Sequence, residues 1–502
     1  MIPAAEPLRD ARSRRAGSRL RLQWRRIDGA PHPERLFAAL ALDPRASFWL
    51  DSSDTDPATP APGRCSVMGD ASGPLAEVLR YDVRTGRWDV RGHRTHRSVE
   101  EGFVEHLRSR LAARAITRPA DLPVPFTLGY VGALGYELKD EGNATPTHRS
   151  PHPDAVLVFA DRAVVLDHGH RTVVLLALVD DARPRTVALA DDWLATTART
   201  VRNLLTTPAA APEPPAADGH APTASPATFR LDQDKVAYLR SIDRCLEHIR
   251  AGDSYEICLT NTATGAPLTD PLATYLALRR TSPVPYGALL RFGELSVLSA
   301  SPERFLRITA SGIAQTRPIK GTRPRGDTPS DDARLRHDLA TNPKDRAENL
   351  MIVDLLRNDL SRVCVPGTVA TDDLFRVESY SHVHQLVSTV SGSLRPGLTA
   401  VDAVAAAFPG GSMTGAPKIR TMQITDALEH RARGLYSGAI GWFSLDGSAE
   451  LSITIRTLVS DTTSTTFGVG GAIVADSDPE AELEETLVKA RALLAALGAR
   501  LG

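Results

Sequence analysis

Cysteine and lysine are both scarce in this chain of 502 residues, and each scarcity narrows what the protein can be. The four cysteines, Cys65, Cys245, Cys258 and Cys364, show no Cys-x-x-Cys pair and no metal-ligand spacing. That pattern gives neither a disulfide framework nor a zinc site and fits a reducing, cytoplasmic setting. No apolar run reaches the length of a membrane span, and the N-terminus lacks the apolar core of a secretory signal. A net charge of -1 leaves no basic excess for nucleic acid or an anionic membrane, so the expected partners are small molecules or proteins.

Lysine is the more telling shortage. Of the 59 basic residues six are lysine, at 139, 235, 320, 344, 418 and 489, and 53 are arginine. Against such a preference, a retained lysine marks a place where a guanidinium would not serve. An ammonium can lose its proton when desolvated and become a nucleophile, whereas a guanidinium cannot. Lys320 stands in Gln315-Thr-Arg-Pro-Ile-Lys-Gly-Thr-Arg-Pro-Arg-Gly326. It is either a solvated surface charge, as most lysines are, or such a nucleophile, and the flanking Pro318-Ile319 and Gly321 favour a tight, part-buried loop.

What is present reads as an α+β chain. Residues 1–18, rich in arginine, are expected to form a disordered extension, and Arg19 to Ile27 alternates like a strand with one wet face. Strand-like runs follow at Phe48-Trp-Leu50, Ala155 to Phe159, Ala163 to Leu166 and Thr172 to Val179, with a helical pattern from Pro184 to Leu205. From 206 to 228 proline and alanine replace all periodicity, which reads as an exposed linker between a region 19–205 and a region 229–502. Beyond it a helix over Asp232 to Ala251 leads into Tyr255-Glu-Ile-Cys-Leu-Thr260, and the elements then mix without a βαβ rhythm. Gly410 to Lys418 lacks the ending of a phosphate loop, and Gly468-Val-Gly-Gly-Ala-Ile473 lacks the third glycine of a dinucleotide fingerprint.

Two acidic helices carry the remaining chemistry. In Asn342 to Leu360 the apolar positions Met351, Ile352, Leu355, Leu356 and Leu360 define a face on which Glu348 also lies. A carboxylate there is paired, protonated or bound to a cation, or is simply a helix-start glutamate favoured by the dipole. In the helix beginning near Asp478, Glu480, Glu482 and Glu484 are expected to be solvated. Glu485 and Lys489 share a face with Ala492 and Leu493, which makes that pair the candidate for an inward role. Two carboxylates from distant helices, completed by water and a substrate carboxylate, suit Mg2+ rather than zinc.

Residues 229–502 resemble the catalytic region of the chorismate-utilising enzymes. The matching stretches are Tyr255 to Asn261, Ser301-Pro-Glu-Arg-Phe305, Arg317 to Thr322, Ala347 to Asp359, His384 to Ser388, Gly410 to Lys418, Gly434 to Gly441, Ile455-Arg456 and Gly470 to Asp476. The region 19–205 is similar to the N-terminal region of anthranilate synthase component I, through Trp49-Leu-Asp-Ser52 and Gly129 to Lys139. The resemblance implies one fold in which both regions feed two large packed β-sheets with helices outside. By motif it implies Glu348 and Glu485 as Mg2+ ligands and Glu303 as the acid that protonates a departing C4 hydroxyl. Gly321, Thr322, Tyr436, Arg456, Gly470 and Lys489 would then form the chorismate site.

Lys320 selects the branch. Relatives that form anthranilate carry alanine at that position; a lysine resembles the members that aminate chorismate with ammonia to 4-amino-4-deoxychorismate, the precursor of 4-aminobenzoate and folate. In that scheme the amine adds at C2 and expels the C4 hydroxyl, and ammonia adds at C4 and expels the lysine. It needs a neutral lysine, and burial near Mg2+ is expected to depress its pKa. The alternatives are anthranilate or 2-amino-2-deoxyisochorismate formation, or a non-catalytic scaffold or tryptophan-binding regulator. Lys320, Glu303, Glu348 and Glu485 together speak against the last. No cysteine sits in a nucleophile-elbow context, so ammonia is expected from a separate glutamine amidotransferase subunit. Gln385 and Glu256 depart from relatives that carry histidine and lysine there, and Ser52 marks a possible tryptophan pocket.

Overall fold

The computed structural model describes residues 19–53, 65–142, 147–207 and 227–502. The expected extension 1–18 and all but the ends of the expected linker lie outside the described residues. One sheet of 13 strands and one of 12 carry the fold. Every ladder among the described residues is antiparallel except the one joining Thr228–Leu231 to Arg500–Leu501. No helix among them is long and apolar enough to cross a membrane.

The apolar runs read as strands are buried on both faces. In Thr172–Asp180 the residues Val173, Leu175, Ala177 and Val179 join one core cluster, and Val174, Leu176 and Leu178 join another. Side chains alternate across a strand, so a run without polar interruptions is what a strand covered on both sides requires. The strand Ser47–Asp51 does the same with Phe48 and Trp49, which are fully buried in opposite clusters. Full burial of such a side chain contributes about 1.5–3 kcal/mol, so these two layers dominate the stability. The first strand, Leu20–Asp28, is wrapped more than its alternation predicts: Gln23 is buried along with Leu22 and Trp24, because the helix Pro184–Thr206 packs on it.

The two regions on either side of 206–228 share both sheets. Ser47–Asp51 pairs with Tyr286–Phe292, and Gly129–Leu134 pairs with Ala439–Ser444. The helices that matter for function start alike. Asn342 accepts a hydrogen bond from Asp345 N ahead of Pro343, and Asp478 accepts one from Ala481 N ahead of Pro479. A capping oxygen followed by proline satisfies an orphan donor and presets the first turn. These starts fix the helices Pro343–Ser361 and Pro479–Leu497.

Candidate active site

Lys320 lies where an edge strand bulges. Ile319 pairs with Val387 but Thr322 with Gln385, so three steps on the strand Ile319–Pro324 answer two on Val383–Ser393. Such a bulge re-aims a side chain. Gly321 adopts φ +81°, and a Cβ there would lie 2.8 Å from the Asp345 carboxylate. The side chain so directed is only 12 % exposed, and its Nζ donates to Glu256 Oε1 at 2.6 Å. Glu256 opens the strand Glu256–Gly265 of the other sheet, so this pair joins the two sheets. Burial pulls the Lys320 pKa down, but the charge and hydrogen bond of Glu256 outweigh it and the net shift is upward. The expected depression is therefore corrected: before substrate binds, this lysine is an ammonium held by a carboxylate.

Glu303, in the turn between Leu295–Ser301 and Arg304–Ile308, is buried. Burial lifts its pKa to about 7, against a hydrogen bond from the Ser412 hydroxyl, the charge of Lys320 and the backbone N–H of Ile319. The carboxyl, within reach of the lysine's charge, is therefore in a form able to donate a proton near neutrality. Ser412 belongs to the Gly410–Lys418 run, whose Lys418 is no phosphate ligand. Its Nζ is held by Asp359 at 2.6 Å and by the carbonyls of Ala407 and Pro409 at 2.7 and 2.9 Å, which fastens the turn to the end of the Glu348 helix.

Glu348 and Glu485 approach from different helices. Lys344 Nζ stands 3.8 Å from Glu348 and 3.8 Å from Glu482, so one positive charge already lies between acids of both helices. Burial raises the Glu348 pKa, with Lys320 and Lys344 acting against it. Glu485 feels the same burial but ends lowered, through Lys489 at 2.8 Å and the charges of Lys344 and Lys320. No three metal-ligating side chains converge among the described residues. A cation here would have two glutamates and complete its shell with water and ligand oxygens, which fits Mg2+. The expectation that Glu482 is solvated is corrected. It is buried and accepts from Ser477 Oγ at 2.6 Å, on the face shared with Thr486 and Ala490. Glu485 and Lys489 are instead half-exposed.

Arg456 supplies a candidate anion receptor. It is exposed and makes no hydrogen bond or ion pair through its side chain among the described residues, yet desolvation lowers its pKa. Tyr436 is buried against Gly468. Gly470 O accepts from Lys489 Nζ at 3.0 Å, which brings Gly470, Lys489 and Glu485 together. Thr322 is exposed and tied to Gln385 by backbone pairing. Ser52 lies elsewhere, lining a cavity of about 80 Å³ between the sheets with Asp51, Tyr286, Arg304 and Glu450. His384 is fully buried between Ser379 Oγ at 2.8 Å and Asp332 Oδ1 at 2.9 Å, a fastening between two strands and a helix.

Sequence reasoning did not find Glu256 as the lysine's partner, nor Lys344, Glu482 or Ser412. Glu256 and Ser412 stood inside quoted motifs, but no local spacing marks a contact between sheets.

Comparison with known proteins gives a consistent picture. A family model described as chorismate binding enzyme matches residues 61–495. An aminodeoxychorismate synthase of Streptomyces griseus is 50 % identical over 98 % of this chain and 66 % of its own length. One of Streptomyces pristinaespiralis is 47 % identical over 95 % of this chain and 65 % of its own. The chain thus spans just under two thirds of these relatives. Anthranilate synthase component I of Streptococcus pneumoniae superposes with a TM-score of 0.71 at 26 % identity, over 86 % of this chain and 93 % of that one.

Proposed function

This chain belongs to the chorismate binding enzymes, and on that premise we propose that it aminates chorismate with ammonia to 4-amino-4-deoxychorismate. The observation that carries the reading is a buried amine, Lys320, on a bulged strand, hydrogen-bonded to Glu256 and within reach of the charge of an acid poised near neutrality, Glu303. Arg456 and Tyr436 bind a substrate carboxylate, with Gly321, Thr322, Gly470 and Lys489 along the same wall. Glu348 and Glu485 would hold Mg2+, which supplies positive charge for the ring carboxylate.

The nitrogen lone pair of Lys320 forms a bond to C2 while the C4–O bond breaks, and Glu303 protonates the leaving hydroxyl to water. Ammonia then bonds to C4 as the C2–N bond breaks and the lysine is released. Desolvation favours each step by keeping bulk water from competing as nucleophile. Purified chain given chorismate, Mg2+ and ammonium salt is expected to yield 4-aminobenzoate once the lyase is added; fluorescent anthranilate as the main product would overturn the reading.

Ammonia is supplied by a glutamine amidotransferase subunit. Glutamine alone is expected to support no turnover by the pure chain, and glutamine-driven product would refute this part.

Glu303 sets the pH response. It acts in its protonated form, which is lost as pH rises through about 7. Attack by Lys320, followed without ammonia, is therefore expected to slow above that pH. Glu303→Gln is expected to be about 10²-fold slower and to lack the descending limb, because an amide cannot donate the proton. A variant that kept the limb would assign the acid elsewhere.

A further inference from the structure

The Glu256–Lys320 ion pair joins two side chains that are almost shut from water. Glu256 is 1 % exposed, and its Oε2 is buried with no hydrogen-bond partner. The backbone around it is clamped. Ser254 Oγ donates to Glu256 O at 3.0 Å, Tyr255 N donates to Ala416 O at 2.7 Å, and a Cβ on Gly415 would fall 2.0 Å from Glu256 O. A carboxylate fixed in this way, shut from water and against the amine, meets the geometric requirement for a base.

We infer that Glu256 takes the proton of Lys320, keeps it while the lysine is bonded to substrate, and returns it when the lysine is released. The inference rests on the covalent role proposed above for Lys320. The steps balance. The ammonium gives one proton to Glu256, and the freed pair forms N–C2 as C4–O breaks and Glu303 sends its proton out with the hydroxyl as water. The lysine nitrogen is then a secondary ammonium, a good leaving group. Ammonia forms C4–N, and the C2–N pair returns to the lysine. The new ammonium at C4 gives a proton to Glu303, and Glu256 gives its proton back to Lys320. One chorismate and one ammonia become product and water, with both glutamates restored. The other groups whose charge reaches the pair are Glu348, Glu303, Glu485 and Cys258. None of these hydrogen-bonds the amine, which donates to Glu256.

The test follows the mass adduct on the Lys320 peptide after wild type, Glu256→Gln and Glu256→Asp are mixed with chorismate and Mg2+ without ammonia, over a range of pH. Near pH 7 the Gln variant is expected to form adduct about 10²-fold more slowly, the low end of what a positioned base contributes. The ratio of wild type to variant is expected to shrink as pH rises, because hydroxide can then take the proton, and Asp is expected to recover part of the loss. Alkaline recovery also shows that the Gln variant is folded. Adduct formation at the wild-type rate in the Gln variant, or a deficit equal at every pH, would overturn the inference. No adduct on the wild type would instead bring down the covalent reading, and this inference with it.

Discussion

Lys320→Arg is expected to lose nitrogen delivery to C4 by about 10³-fold or more, the scale on which removal of a group acting in the transition state is felt. The substitution keeps the positive charge and the carboxylate of Glu256 as its partner, so an electrostatic role would survive it. It removes only the ability to become a neutral amine, because a guanidinium does not lose its proton in a protein. Lys320→Ala tests the same step less cleanly. It strands the buried carboxylate of Glu256, and breaking a buried pair can cost about 3–5 kcal/mol. With C2 open to ammonia, the alanine variant is expected to shift residual product toward the anthranilate type, read by its fluorescence. Near-native 4-amino-4-deoxychorismate from the arginine variant would reduce the lysine to a charge contact.

Glu348→Gln and Glu485→Gln are each expected to abolish Mg2+-dependent turnover while the circular dichroism stays native. Each removes one of the two anionic ligands proposed for the ion, and no three metal-ligating side chains converge among the described residues to replace it. The two differ in how they titrate. Burial raises the Glu348 carboxyl, whereas Lys489, Lys344 and Lys320 overcome burial at Glu485 and lower it. As pH falls Glu348 is protonated first, so the acid-side loss of Mg2+ affinity is expected to disappear in Glu348→Gln along with most of the affinity itself. Wild-type activity that persists in EDTA would rule the site out.

Local rules made much of this legible. The apolar positions of Asn342 to Leu360 announced the helix carrying Glu348, and the apolar run 172–179 announced a strand. Spacing fails where a contact depends on two sheets meeting. Glu256 and Lys320 belong to different sheets, and neither carries periodic information about the other. Helix phase misled at 482 and 485 for a related reason. Glutamates crowd that segment, and the inward direction is set by the partner strand, which buries Leu483, Thr486 and Ala490 with Glu482. Motif resemblance supplied roles that periodicity could not, but it did not reveal the carboxylate that raises the free lysine's pKa, because that partner lies at a position where this chain departs from its relatives.

The shared sheets bear on how the chain reaches its native state. Trp49 faces Leu289 and Gly132 faces Gly441, so each seam joins segments more than two hundred residues apart. Closing such loops loses chain entropy before any pairing compensates, which makes folding slow and leaves unpaired strand edges exposed meanwhile. Neither region can complete its edges alone: until the seams zip, Tyr286–Phe292 and Ala439–Ser444 each lack a neighbour. Pairing across these seams is therefore a late event, and the nascent chain depends on both regions being present together.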